Sequence, residues 1–299
     1  MPVTKIEYKG WKNAVRLEAG GLELVVVLDV GPRIMHLGFK NGRNVFGEFP
    51  EQAGQSGEAK WMLRGGHRLW VAPENKPLTY ELDNGPARYD EIPGGLRILQ
   101  SPGPLTGIQK IMEIKYLEKE KKVSVVHTLK NAGSKAVACA PWALSVMAPG
   151  GLAMIPLPGV EAPGDRVTPN QNWALWSYTD LADRRWAIGS EYILLRHDAT
   201  RGPTKIGIGQ RDGWMGYLVD GHLFLKYFHR IEGAEYPDFN VNCEVYADER
   251  IVELETLGPL ASLEPGQSAS HEEQWALFKD IPDCTNEEEV QLEISSYVL

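Results

Sequence analysis

Apolar residues in this chain fall in short runs or strict alternation between turn-forming residues, a pattern that predicts β-strands rather than helices. Leu22-Glu-Leu-Val-Val-Val-Leu28 is apolar and β-branched enough for a well-buried strand, and Gly31-Pro32 ends it. Arg33 to Gly38 resumes the pattern, and Asn41-Gly42 marks a hairpin before Asn44-Val-Phe-Gly47. Arg33 reads equally as an exposed strand end or as a group turned into a site. A second hairpin is expected from Ile108 to Leu117 and Lys122 to Leu129. There Val123, Val125, His127 and Leu129 share one face by period two, which puts His127 in or beside the core. Further strands are expected at Ala136 to Met147, Arg185 to Ile188, Tyr192 to Leu195 and Lys205 to Ile208. The proline- and glycine-rich stretch 156–185, with Trp173, Trp176 and Tyr178, reads as a functional rim or a packed surface loop. Thr285-x-x-Glu288 predicts a capping box for a short helix in a C-terminal extension over 284–299, with Val290 and Ile294 on its inner face.

Three consecutive strand candidates between His222 and Leu257 divide their residues by face. Leu223, Leu225 and Tyr227 oppose Phe224, Lys226 and Phe228; Val241, Cys243 and Val245 oppose Asn240, Asn242, Glu244 and Tyr246; Val252 and Leu254 oppose Glu253 and Glu255. If the three are neighbours, their mixed faces join into one surface of amides, carboxylates, a lysine and rings. Such a surface suits a sugar, with rings stacking on C–H faces and polar groups taking the hydroxyls. An ordinary solvated sheet face has the same alternation, but it would leave Phe224 and Phe228 exposed. No repeat or composition shift marks a boundary, so one all-β domain over residues 1–299 is the simpler organisation.

Composition narrows the function classes. The 40 acidic residues against 31 basic ones, a formal net charge of -9, argue against nucleic acid or an anionic membrane as partner. No apolar run approaches the roughly twenty residues of a membrane span, and the N-terminus lacks a signal peptide's apolar core. Cys139, Cys243 and Cys284 form neither a disulfide framework nor a zinc spacing, and a reducing cytoplasm fits them. The chain contains no dinucleotide fingerprint, P-loop or nucleophile elbow, which removes the Rossmann, P-loop and α/β-hydrolase classes.

The densest polar stretch is Arg64-Gly-Gly-His-Arg-Leu-Trp-Val-Ala-Pro-Glu74. Gly65-Gly66 permits positive φ or close approach of backbone to a ligand, and Arg64, His67, Arg68, Trp70 and Glu74 around it suit a hydroxylated or anionic guest. The plain alternative is a loop between strands, with His67 capping backbone and Arg68 in a surface ion pair.

Leu254-Glu-Thr256, then Gly258-Pro259, then Leu263-Glu-Pro-Gly-Gln267 resembles the C-terminal part of the galactose mutarotase (aldose 1-epimerase) superfamily. Gly31-Pro-Arg-Ile34 with Asn44-Val-Phe46 is similar to its opening hairpins, and Gly65-Gly66 to its glycine pair. The combination of GGHRLWVAPE, YPDFN and ELETLGPL is similar, more closely, to an uncharacterised family grouped with those proteins. The resemblance implies a β-supersandwich with a carbohydrate site on its concave face and a short C-terminal helix. It also implies that Glu255 is the base that takes the anomeric proton. The superfamily's acid is a histidine in an Asn-His-x-Tyr-Phe type strand, and the matching stretch Ala140-Pro-Trp-Ala-Leu-Ser-Val-Met147 has none. His67 would then be the acid, or Lys226 an electrostatic substitute.

The expectation is therefore a cytoplasmic aldose 1-epimerase-like enzyme with Glu255 and His67 as acid–base pair, needing no metal or cofactor. Arg64, Arg68, Trp70, Glu74, Lys226, Asn240, Asn242, Glu244 and Glu253 would hold the sugar, and the cations leave an acidic or phosphorylated one open. Two alternatives stand beside it: a non-catalytic carbohydrate-binding module using the same face, and a homo-oligomer in which Phe224 and Phe228 anchor the interface.

Overall fold

The computed structural model of the chain describes residues 1–162, 164, 167–211 and 213–298. Its strands form two antiparallel sheets. The first runs in the order Val3–Tyr8, Trp11–Ala19, Leu22–Val27, Arg33–Phe39, His67–Ala72, Val137–Met147, Val252–Leu257, Cys243–Ala247, Thr204–Ile208 and Trp173–Leu175, with Ala261–Leu263 also pairing on Val137–Met147. The second runs Trp186–Ile188, Tyr192–Arg196, Leu152–Pro156, Trp214–Val219, His222–Phe228, Ser268–Phe278, Lys122–Asn131, Ile108–Leu117, Gly95–Gln100 and Ala87–Ile92. Most of the expected strands are present, but Asn44 to Gly47 forms only an isolated bridge from Phe46 to Met147, and the strand expected to take in Asn240, Val241 and Asn242 starts at Cys243. At the C-terminus the helix is Glu287–Ile294, with Val290 and Ile294 buried. Its cap sits one residue later than expected: the Asn286 side chain accepts from the Glu289 amide, while Glu289 reaches back to Thr285.

The core lies between the sheets and follows from alternation. Leu69 and Val71, Leu254, Val245, and Ile206 and Ile208 turn inward from the first sheet to meet Val125, Met215 and Phe224 from the second. Arg68, Trp70, Trp142, Leu144, Glu253, Glu255, Glu244 and Lys205, one residue out of phase, project from the other side of the first sheet. Gly65 and Gly66 have φ of 87° and 67°, and a Cβ on either would lie 2.1 Å from the Gly47 carbonyl oxygen or 2.4 Å from that of Ile34. The pair serves backbone packing behind the strand, not the approach of a ligand.

One expectation about neighbours is corrected. The strands Cys243–Ala247 and Val252–Leu257 are adjacent and share a polar face, but His222–Phe228 belongs to the second sheet, and its mixed face points into the sandwich. Phe224 and Phe228 are buried, so they anchor no oligomer interface. Burying two phenylalanines gains about 1.5–3 kcal/mol each, and Lys226 goes inside with them because partners await its ammonium: Glu273 Oε1 and the Leu254 carbonyl, both at 2.9 Å. Arg33 is likewise no exposed strand end. It is fully buried, paired with Asp83 at 2.9 Å and donating to the Leu63 and Gly65 carbonyls.

Candidate functional site

Antiparallel register draws residues remote in sequence into rows. Arg68 pairs with Leu144, Leu144 with Glu255, and Glu255 with Glu244; the next row joins Val146, Glu253, Tyr246 and Lys205. Side chains of both rows leave the same face, and over them lies a hollow of about 430 Å³. Its walls are aromatic, from Trp61, Trp70, Tyr80, Trp142 and Tyr178, and its charged groups include Arg68, Glu74, Lys205, Glu253 and Glu255. Two other hollows, of about 450 and 550 Å³, gather neither an aromatic wall nor buried opposed charges.

Lys205 organises one half of the floor. Its ammonium lies 2.6 Å from Glu244 Oε2 and 2.9 Å from Glu255 Oε2, and the Trp142 indole N–H donates to that same Glu255 oxygen at 2.9 Å. The Trp142 and Trp176 rings flank the ammonium at 4.8 and 4.5 Å. Burial alone would lower the Lys205 pKa, but Glu244 and Glu255 outweigh it and hold the ammonium above its ordinary range. One cation cannot neutralise every carboxyl around it. Burial pushes the Glu244 carboxyl well above the usual carboxylate range, with Glu255 and Asp238 adding to the rise against the pull of Lys205. Tyr178, at the rim, is pushed up to about 12, first by burial.

Arg68 organises the other half. It is 1% exposed, meets Glu253 Oε1 at 2.8 Å and lies over the Trp70 and Trp61 rings at 4.3 and 5.5 Å. The surface ion pair considered for it is a buried, ring-stacked one. The indole N–H groups of Trp61 and Trp70 have no acceptor among the described residues, so the aromatic wall carries donors as well as ring faces.

Of the residues expected in the site, Glu255, Arg68, Trp70, Glu74 and Glu253 line the hollow, and Glu244 lies beneath it. The rest are elsewhere. Arg64 is buried behind the strand, paired with Glu58 and donating to Asn84. Asn240 sits in an exposed turn and caps the Tyr236 amide, and Asn242 accepts from the Gln210 amide. Lys226 and His67 point between the sheets, away from the hollow. His67 and Glu255 therefore lie on opposite faces of one sheet, and no monosaccharide in the hollow touches both, which corrects the expected acid–base pair.

His67 instead joins a closed interior network. His127 Nδ1 faces the His271 carbonyl at 3.1 Å, which can only accept, so Nδ1 carries the hydrogen and Nε2 is an acceptor. His67 Nε2 then donates across 2.6 Å to His127, and His67 Nδ1 accepts from Ser145 at 2.8 Å. His271 donates to Thr256 at 2.7 Å, and Thr256 donates to Glu273, which also receives the Trp275 indole at 2.8 Å. Burial holds His127 and His271 down to about 3, and His67 well below its ordinary value. Ligand atoms of His67, His127 and Glu273 lie within 4.8 Å of one another, the one such group among the described residues with the makings of a metal site. A metal there would have to break the His67–His127 bond and sit beside the Lys226 ammonium.

Lys205, Trp61, Tyr80 and Trp142 are not singled out by the sequence, whereas Tyr246 falls on the mixed strand face and Tyr178 in the aromatic rim that it marks. A signal existed for Lys205: the alternation Lys205, Ile206, Gly207, Ile208 puts a lysine on the non-core face of a strand. Nothing local tied it to Glu255, fifty positions on.

No family model and no curated protein matches the chain by sequence. Solved structures match by shape. A galactose mutarotase-like protein from Lactobacillus casei superposes with a TM-score of 0.59 at 10% identity, covering 89% of this chain and 100% of that one. A candidate aldose 1-epimerase from Klebsiella pneumoniae gives 0.58 at 10% identity, covering 93% and 83%. A galactose mutarotase related enzyme from Lactobacillus acidophilus gives 0.52 at 8% identity, covering 91% and 99%. The chain has the galactose mutarotase-like fold. At these identities the likeness shows the architecture alone, two packed antiparallel sheets.

Proposed function

We propose that the hollow over Glu255 binds a monosaccharide and that the protein interconverts the anomers of an aldose, with Glu255 taking the proton from the anomeric hydroxyl. The observation that carries this reading is a buried carboxylate whose Oε2 is held by Lys205 and Trp142 at the floor of an aromatic-walled hollow of monosaccharide size. Both partners address Oε2, which directs Oε1 to other donors. Trp70 and Trp61 supply ring faces and indole donors, and Arg68 with Glu253 presents an opposed charge pair to sugar hydroxyls. The structural neighbours' names, mutarotase-like and aldose 1-epimerase, support the same class.

The sugar is uncharged on this reading. Among the described residues Arg68 and Lys205 are the cations lining the hollow, and each is already paired with a carboxylate, so an acidic or phosphorylated sugar would meet repulsion from Glu74, Glu253 and Glu255 with no free cation among those residues. Three free, buried cysteines support a reducing compartment. Among the described residues no helix is long and apolar enough to cross a membrane.

A second reading, recognition without turnover, is favoured by one observation: among the described residues no histidine lines the hollow to act as the acid. Anomer exchange measured by NMR over neutral, acidic and phosphorylated aldoses separates the two. Equal rates for the wild type and Glu255→Gln remove the enzymatic claim, and calorimetric binding without exchange selects recognition.

A further inference from the structure

With Glu255 as base, the ring oxygen of the sugar still needs a proton. We propose that the phenol of Tyr178 is the acid, giving its proton to the ring oxygen while Glu255 takes one from the anomeric hydroxyl. This rests on the reading of the hollow as an aldose site.

The segment that carries Tyr178 is fastened to the residue that holds Glu255. The strand Trp173–Leu175 pairs with Thr204–Ile208, its last residue opposite Ile206, so the chain leaves that strand beside Lys205. It then turns, the Thr179 amide donating to the Trp176 carbonyl at 2.9 Å. Thr179 Oγ1 donates to the Lys205 carbonyl at 2.5 Å and accepts from the Lys205 amide at 3.3 Å, while the Trp176 ring lies 4.5 Å from the Lys205 ammonium. Tyr178 stands between these two anchors. Its side chain lines the same hollow as Glu255, which the Lys205 ammonium touches at 2.9 Å, and at 44% exposed it is open to a ligand.

The other groups lining the hollow are spent or chemically unsuited. Indole N–H and guanidinium groups donate hydrogen bonds but do not release a proton near neutral pH, which sets aside Trp61, Trp70, Trp142 and Arg68. Lys205 bridges Glu244 and Glu255, and its departure as a neutral amine would leave both buried carboxyls without their cation. Tyr80 donates to Glu74, and Tyr246 donates to Asp248 at 3.2 Å. Glu253 is paired with Arg68. The Tyr178 hydroxyl, by contrast, makes no hydrogen bond among the described residues. Facing it are Lys205 from Thr204–Ile208, Glu255 from Val252–Leu257, Glu244 from Cys243–Ala247 and Glu74 from the loop after His67–Ala72. Burial first, then the three carboxyls, push the phenol up to about 12 against the pull of Lys205, so it carries its proton at pH 7.

The step balances. Glu255 gains the proton of the C1 hydroxyl, whose electron pair forms the C1 carbonyl; the C1–O5 bond breaks toward O5, which receives the Tyr178 proton. Rotation about C1–C2 and the reverse transfers give the other anomer and restore the phenol and the carboxylate. The phenolate that exists in between lies near the Lys205 ammonium.

Two variants of the full-length protein test this, with Glu255→Gln measured beside them. Tyr178→Phe keeps the ring and removes only the hydroxyl. It should slow exchange of the aldose that the wild type turns over by about 100-fold with little change in Kd. A fluorinated tyrosine at position 178 has a more acidic phenol, and it should move the alkaline limb of the kcat profile to lower pH. Tyr178→Phe with wild-type kcat while Glu255→Gln is inactive, a loss in Kd alone, or an alkaline limb that fluorination does not move each overturn the proposal and leave the aldose reading standing. A wild type that exchanges no aldose overturns the two together.

Discussion

Glu244 and Glu255 face each other across neighbouring strands, and one ammonium, Lys205, touches both at 2.6 and 2.9 Å. Like charges directly opposite on a sheet repel, so the pair exists only because the next strand supplies the cation. Lys205→Met should therefore destabilise the protein by about 3–5 kcal/mol, since it leaves buried carboxyls uncompensated. Urea unfolding at pH 7 measures this; a loss under about 1 kcal/mol would show that the three groups do not form a charge cluster.

Trp142 donates to the same oxygen of Glu255 that Lys205 holds. Trp142→Phe keeps a ring and removes the donor. A hydrogen bond to a charged group contributes about 1.5–3 kcal/mol, so kcat should fall roughly tenfold to hundredfold if Glu255 must be aimed to act. Unchanged kcat with a folded variant would mean that Glu255 needs no orientation from the indole.

His67 lies on the other face of the sheet, bonded to His127 and Ser145. His67→Gln should lower stability by about 1–3 kcal/mol through unpaired groups left in the core, with sugar affinity unchanged. A large loss of affinity without loss of stability would return His67 to the site.

The interior imidazoles also set the response to acid. His127 and His271 are held near 3 in the folded protein against an ordinary value of 6.5, first by burial, so the unfolded chain takes up protons that the folded one refuses. Their contribution is whole above pH 6.5 and is lost as the pH falls toward 3, at about 1.4 kcal/mol per pH unit for each histidine. Urea midpoints at pH 7, 6 and 5 should drop with increasing slope. A flat series would mean that these imidazoles are charged or solvated in the fold.

The strand pattern was legible because burial on one face imposes period two, and Val123, Val125, His127 and Leu129 show it without help from distant residues. The same rule placed Glu244, Tyr246, Glu253 and Glu255 on one face before their neighbours were known. It could not say which side of the sandwich a mixed face meets. Lys226 with its two phenylalanines and Glu255 with Glu253 have similar alternation, yet one set is interior and the other lines the hollow.

Local sequence thus determined the all-β character, the strands, the polar face carrying Glu255 and the C-terminal helix, because propensity, alternation and turn residues act within a few positions. Sheet order and register decided the rest. They brought Lys205 and Trp142 to Glu255 and sent His67 and Lys226 into the core, because hydrogen-bonded pairing acts between strands that lie far apart along the chain.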